Sequence, residues 1–223
     1  MCGLFGFIAA DNIAGPDVDE LLQVAQAAAE RGPHGWGMVT YHCREEDPTP
    51  HEYRRHRELG LPVVSMARVI PKAATSALLV VGHCRLATTG HEADPDELQP
   101  LKLGPDNWFA HNGTVPDADS IAQSFGMKLT TGNDSEVLGR LATLGLGGGG
   151  DVTLVEALSR ACNDMTDRDK PFAAAWLVGH KIALVRRGHP LWVSEQPDGL
   201  YFGSVRWDTE YEPSMLEEHL YVD

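Results

Sequence analysis

The apolar residues of this chain come in short runs. Residues 77–81 and 172–178 have the length of core strands, and no run approaches the ~18 residues needed to span a bilayer. A chain built this way must bury its strands in layers against other elements. With 223 residues, 43% hydrophobic and 22% charged, it can assemble a sizeable core, and it reads as one globular domain over residues 1–223.

The opening residues, 1–8, read as a buried strand. Gly15-Pro16-Asp17 starts a helix, with Asp17 as the cap and Glu20 as its capping-box partner. Val18, Leu21, Leu22, Ala25, Ala28 and Ala29 share one helical face, and Gly32-Pro33 ends the element. Residues 36–42 read as a strand. Residues 44–59 are dense in charge and hold Pro48 and Pro50, which predicts a solvated loop or an edge hairpin. A short helix is expected over 63–70, before Pro71.

Residues 76–85 form an apolar, β-branched strand, 91–105 a loop, and 107–111 a short strand breaking at Asn112-Gly113. Helices are expected over 117–125, 135–143 and 153–165, a hairpin over 172–178 and 181–187, and short strands over 191–194 and 200–205. There is no internal repeat and no dividing linker. The order of strand, helices and paired strands predicts a layered α+β domain.

Lys and Arg number 18 against 32 Asp and Glu, for a net charge of −14 and a pI near 5.0. Such a surface repels phosphate backbones and anionic lipid, so neither nucleic acid nor a membrane is an expected ligand. The first ten residues carry no Lys or Arg and lack the basic start of a secretory signal. Cys2, Cys43, Cys84 and Cys162 contain no CxxC pair and read as reduced thiols of a cytoplasmic protein.

Cys2 is the sharpest chemical feature. Removal of Met1 would leave a thiol and an α-amine on one residue. An amine of pKa ~7.8 can take the proton of a thiol of pKa ~8.5 without any histidine. The competing reading is a small buried hydrophobe in a strand. Three further segments bear on the choice. Gly82-His83-Cys84-Arg85-Leu86-Ala87-Thr88-Thr89-Gly90 puts an Arg and two Thr at a strand exit. Ala110-His111-Asn112-Gly113-Thr114 offers a side-chain amide beside a backbone N–H, and Gly132-Asn133-Asp134-Ser135-Glu136 puts an acid at a helix entrance. An α-amino acid substrate needs a cation for its carboxylate, an anion for its ammonium and donors for a developing oxyanion. Arg85, Asp134 and Asn112 with Gly113 supply one of each.

The ten histidines include no HxxxH and no Cys/His ligand pairing, so a metal site is not expected, and His83 and His111 read as buried polar residues fixing strand ends. The Gly147-Gly148-Gly149-Gly150 run lacks a GK[ST] ending and reads as a connector.

These motifs together resemble the glutaminase domain of class II glutamine amidotransferases, members of the N-terminal-nucleophile hydrolases. The likeness rests on Cys2-Gly3-Leu4-Phe5-Gly6, then Arg31-Gly32-Pro33-His34-Gly35-Trp36-Gly37, then the Gly82 to Thr88 segment, His111-Asn112-Gly113, and Asn133-Asp134-Ser135-Glu136. It runs from Cys2 to about Trp207. It implies a four-layer αββα sandwich. Cys2 would be the nucleophile, and Asn112 and the Gly113 N–H the oxyanion hole. Arg85 would hold the α-carboxylate and Asp134 the α-ammonium, with Thr88 and Thr89 lining the pocket and Arg31 bracing the cysteine region.

No metal or organic cofactor is implied. The product ammonia would pass to a separate synthase subunit. Two other functions are consistent with the same residues: a stand-alone amidase removing a γ-glutamyl group from a small metabolite, and a non-catalytic glutamine-binding module. The sequence departs from the family pattern at His34, which replaces an acid, at Leu86, which replaces an aromatic residue, and at Thr89, where some members have His.

Overall fold

The computed structural model describes residues 2–10, 15–44, 47–86, 94–147, 152–165, 170–217 and 219–222. Strand β1 (Gly3–Ala9) is buried on both faces, and its alternation decides the layer order. Phe5 and Phe7 point into one apolar cluster, Leu4 and Ile8 into another. Around it, β2 (Gly35–Arg44), β3 (Asp47–Leu59), β4 (Leu79–Arg85), β9 (Trp192–Gln196), β10 (Gly199–Gly203) and β11 (Ser214–Met215) form a seven-stranded sheet in the order β11-β9-β10-β1-β4-β2-β3. The second sheet has five strands, β12-β8-β7-β6-β5, built from β5 (Leu101–Gly104), β6 (Asn107–Asn112), β7 (Phe172–Val178), β8 (Lys181–Arg187) and β12 (His219–Val222). The strand pairs of both sheets are antiparallel.

The two sheets face each other across Leu4, Ile8, Val39 and Val81 from the first and Ala110, Ala175, Leu177 and Leu184 from the second. Helices α1 (Val18–Ala29) and α2 (Pro62–Ala73) cover the outer face of the first sheet, with Leu21, Val24, Met66 and Ile70 against Phe5, Phe7 and Trp36. Helices α3 (Ala118–Ser124), α4 (Ser135–Gly147) and α5 (Leu154–Met165) cover the second, where Leu138, Leu158 and Cys162 meet Phe109 and Trp176. The result is the α+β fold and the αββα layering expected. Among the described residues no helix is long and apolar enough to cross a membrane.

Several expectations are refined. The 44–59 stretch is the edge-hairpin alternative: β3 pairs with β2 at the end of the sheet, the position that tolerates Pro48 and Pro50. Pro71 lies inside α2 rather than after it, in the last turn, where loss of one backbone N–H removes little of the helix. The 91–105 stretch is not all loop, since residues 95–97 make a 3-10 turn and 101–104 form β5. Both are too short to show a period. Asp17 caps α1 by accepting the Asp19 and Glu20 N–H groups, but Glu20 does not serve as a capping-box partner: its carboxylate accepts from Gln196 Nε2 at 2.8 Å and Trp207 Nε1 at 2.6 Å. The Asp17 N–H that the box would use donates instead to Asp198 Oδ2 at 2.6 Å. Of the Gly147 to Gly150 run, 148–150 lie outside the described residues.

Gly3 shows how closely the layers approach. A Cβ there would lie 2.2 Å from the Ala28 carbonyl oxygen, so α1 can rest on β1 only if residue 3 has no side chain. Gly3→Ala should therefore push α1 outward and destabilise the protein by about 1–3 kcal/mol in urea unfolding. Gly147→Ala, where a Cβ meets nothing within 4 Å, should stay within about 0.5 kcal/mol of the parent. Equal stability of the two variants would contradict the close approach.

Candidate active site

Antiparallel pairing brings the start of β1 to the end of β4 and the start of β2: Gly3 pairs with Cys84, and Gly35 with Arg85. Cys2 and Arg85 are thereby delivered to one end of the first sheet. Leu86 follows β4 and brackets the thiol, its N–H donating to Sγ and its carbonyl accepting from Sγ, both at 3.3 Å. Leu86 thus meets Cys2 through its main chain, whatever its side chain. The turn after α1 is fixed to the same place, because the His34 N–H donates to the Arg85 carbonyl at 3.0 Å. His34 makes this bond with its backbone, for which no acidic side chain is needed.

The second sheet contributes the end of β6. Asn112 is buried and its Nδ2 donates to Ser204 Oγ at 2.8 Å. That oxygen also accepts the Leu4 N–H at 3.0 Å, and the Ser204 carbonyl accepts from Arg31 Nη1 at 2.9 Å. Ser204 therefore ties together β1, Arg31 and the second sheet. Asn112 Oδ1 is buried without a hydrogen-bond partner among the described residues. Gly113 follows, and a Cβ there would sit 2.5 Å from His111 Nε2, which explains why glycine stands beside this imidazole. Asp134 precedes α4; its Oδ2 accepts the Val115 N–H at 2.7 Å, while Asn133 Oδ1 accepts the Ser135 N–H at 3.0 Å.

These segments enclose a cavity of about 20 Å³, lined among others by Cys2, His83, Arg85, His111, Gly113 and Asp134. It has room for about one water. Larger depressions of about 570 and 690 Å³ lie elsewhere on the surface, and neither is lined by a cysteine among the described residues. Chemistry rather than size marks the small cavity. It holds a thiol, a cation and an anion together.

Cys2, Arg85, Gly113 and Asp134 thus come together as expected. Asn112 lies beside them with its amide turned to Ser204, and Arg31 braces the same serine. Thr88 and Thr89 lie outside the described residues. Sequence reasoning missed Ser204, Glu97 and Gln99. Gln99 Oε1 accepts the His111 N–H at 2.6 Å and its Nε2 donates to the His111 carbonyl and Ser135 Oγ, both at 3.3 Å. None of the three sits in a motif with its own chemistry, so a single sequence carries no signal for them. Among the described residues no group of three or more His, Cys, Asp and Glu is placed to hold a metal ion.

Burial pushes the Cys2 thiol above its ordinary pKa, against the opposing pull of the Leu86 N–H and the Arg85 charge. At neutral pH this thiol is protonated. Burial likewise raises the Cys84 and Cys162 thiols, the latter to about 12, which keeps both inert. His83 and His111 are each pushed down to about 3, chiefly by burial, with Arg85 adding to the effect at His83 and His189 at His111. Both imidazoles are neutral.

In the unfolded chain these two histidines titrate near 6.5. Their folded values are lower, so the stability they contribute is complete above pH ~6.5 and is lost as pH falls toward 3. Each takes up one proton on unfolding, up to about 1.4 kcal/mol per pH unit per histidine. Urea midpoints should accordingly drop between pH 6.5 and 5, and His111→Gln should reduce that slope, which His42 and His189, also held down by burial, share. A midpoint that does not move over this window would show the imidazoles to be solvated.

No protein-family model matches this sequence, and no curated protein matches it. Solved structures do. Glutamine phosphoribosylpyrophosphate amidotransferase from B. subtilis, complexed with ADP and GMP, is 18% identical with a TM-score of 0.68, over 99% of this chain and 49% of that one. A structure described as the allosteric regulatory enzyme of purine biosynthesis is 19% identical with a TM-score of 0.68, over 99% of this chain and 48% of that one. A glutamine aminotransferase class-II domain protein from Silicibacter pomeroyi is 17% identical with a TM-score of 0.54, over 100% and 99% of the two chains. This chain spans about half the length of the first two. At such identities the likeness is one of fold.

Proposed function

We propose that this protein hydrolyses the side-chain amide of glutamine, with Cys2 as an N-terminal nucleophile once Met1 is removed. The observation that carries the reading is the meeting of Cys2, Arg85, Gly113 and Asp134 around one cavity. The fold shared with glutamine amidotransferase structures supports it.

In this reading Arg85 binds the α-carboxylate of glutamine and Asp134 its α-ammonium, which aims the side-chain amide at Cys2. The raised thiol pKa makes a base necessary, and the freed α-amine of Cys2 is the one within reach. It takes the thiol proton as sulfur attacks the amide carbon. The oxyanion that forms is held by the Gly113 N–H and by Asn112 Nδ2, which must turn from Ser204 to do so. Collapse of the adduct breaks the C–N bond, the amine returns the proton, and ammonia leaves a thioester on Cys2. Water then attacks the thioester, giving glutamate and the free thiol. Glutamine is larger than the cavity, so its binding must widen the walls. The ammonia would be used by a separate synthase subunit.

A diazo-ketone analogue of glutamine should add once, at Cys2, in protein that has lost Met1, as read by intact mass and peptide mapping. Cys2→Ala should abolish both the adduct and ammonia release. Asn112→Ala should lower kcat by about 10²–10³ with little change in KM. Full turnover from Cys2→Ala, or from protein retaining Met1, would end this reading.

A further inference from the structure

The short turn over residues 95–97, just before β5, contributes no group to the chemistry described so far, yet it sends a charged side chain inward. Asp94 Oδ1 accepts the Asp96 N–H at 2.8 Å and caps the single 3-10 turn Pro95–Glu97. That turn points Glu97 at the back of the site, where it is 3% exposed. Among the described residues only one other acid, Glu136, is buried. Glu136 is satisfied by Thr130, Thr131 and Arg140, away from Cys2.

Glu97 is bonded to two segments, and they are the two that carry the opposite charges of the site. From one side, Arg85 Nη1 donates to the Glu97 carbonyl at 2.9 Å and lies 3.4 Å from its Oε2. From the other, the Gly132 N–H donates to Oε1 at 2.8 Å and Asn133 Nδ2 to the Glu97 carbonyl at 2.8 Å. A Cβ at residue 132 would sit 2.6 Å from Oε1, so glycine is what lets the turn before Asp134 approach the carboxylate. Burial pushes the Glu97 carboxyl above its ordinary pKa, and Arg85 and the Gly132 N–H oppose this. Arg85 and Asp134 line the cavity, whereas Glu97 stands behind them.

We propose that Glu97 is a positioning residue for recognition of the amino-acid head: by clamping Arg85 to the 132–134 turn it fixes the separation of the Arg85 cation and the Asp134 anion, and so selects ligands that carry both an α-carboxylate and an α-ammonium. The inference rests on the glutaminase reading above and deepens it. A residue that only stabilised the fold would weaken activity on every amide alike. A clamp acts on the relation between two charges, so its loss falls on the ligand that spans both.

The test compares the full chain, Glu97→Gln and Glu97→Ala on three amides. These are L-glutamine, 4-aminobutanamide, which lacks the carboxylate, and 5-amino-5-oxopentanoic acid, which lacks the ammonium. The parent should prefer glutamine to either truncated amide by roughly 100-fold in kcat/KM, in line with charge-assisted contacts. In Glu97→Ala the KM for glutamine should rise about tenfold or more, with kcat within about threefold, and the preference should shrink about tenfold. Glu97→Gln keeps the length and an acceptor for the Gly132 N–H and should recover part of the preference. Should Glu97→Ala fail to fold, Glu97→Gln decides alone, because the charge facing Arg85 is gone. Unchanged preference in the folded variants, or an equal loss on all three amides, overturns the clamp and leaves the glutaminase reading intact. A parent protein that releases ammonia from none of the three overturns that reading and the clamp with it.

Discussion

The pairing register of β1 with β4 is the constraint on which the rest depends. Strand side chains alternate with period two, so a slip of one residue would exchange the two faces of the slipped strand. In the observed register Gly3 lies opposite Cys84 and Phe5 opposite Gly82, whose missing side chain leaves room for the phenyl ring: a Cβ there would be 2.1 Å from Phe5 Cζ. The same register turns Gly3 toward the Ala28 carbonyl and Leu4 toward the facing sheet. A slipped strand would drive Phe5 or Leu4 into the space reserved for glycine. The register that packs the core is thus also the one that sets Cys2 beside Leu86 and Arg85.

The space between the sheets changes character along its length. At one end it is filled by Leu, Ile, Val and Ala. At the Cys2 end it holds His83, Arg85, Asn112 and Ser204, all buried. Burying such groups costs free energy unless they are bonded, and most are: Ser204 takes two donors on its hydroxyl, and Arg85 faces Glu97. His83 and His111 line the cavity with fully buried imidazoles, and buried polar atoms without a partner among the described residues occur both there, at His111 Nε2, and away from it, at Arg55, His56 and Trp108.

Much of this was legible in the sequence because the informative elements are long or chemically marked. Residues 172–178 and 181–187 are continuous strand-length runs around a Gly-His turn, and they form β7 and β8 with those bounds. Cys2, Arg85, Gly113 and Asp134 each sit at or next to the end of an element, where a functional group can be displayed, and the fold gathers them. Glu97 and Gln99 were not legible. Their turn is one residue triplet long, and burial of a Glu in so acidic a chain depends on Arg85 and Gly132, partners that only the folded chain brings near. Ser204 matters for a main-chain carbonyl and a hydroxyl shared between sheets, which its neighbours in sequence do not announce. The capping box at Asp17 failed for a related reason: local pairing lost to Gln196 and Trp207, about 180 residues away.

The two neutral histidines give the site its charge. An imidazolium at His83 would set a second cation next to Arg85, and Arg85 is itself among the causes that hold His83 neutral. Burial therefore does more than shelter the thiol. It leaves Arg85 as the cation facing the cavity from β4, compensated from behind by Glu97, with Asp134 as the anion opposite. In the proposed reading a zwitterionic head sets its carboxylate against Arg85 and its ammonium against Asp134 without changing the net charge of the site. In the proposed reaction the same neutrality bears on the leaving group, because imidazoles that titrate near 3 cannot hand a proton to nascent ammonia, and the proton it needs must come from the Cys2 amine. Nucleophile activation and product release then run through a single base, and that base exists only where the chain begins at Cys2.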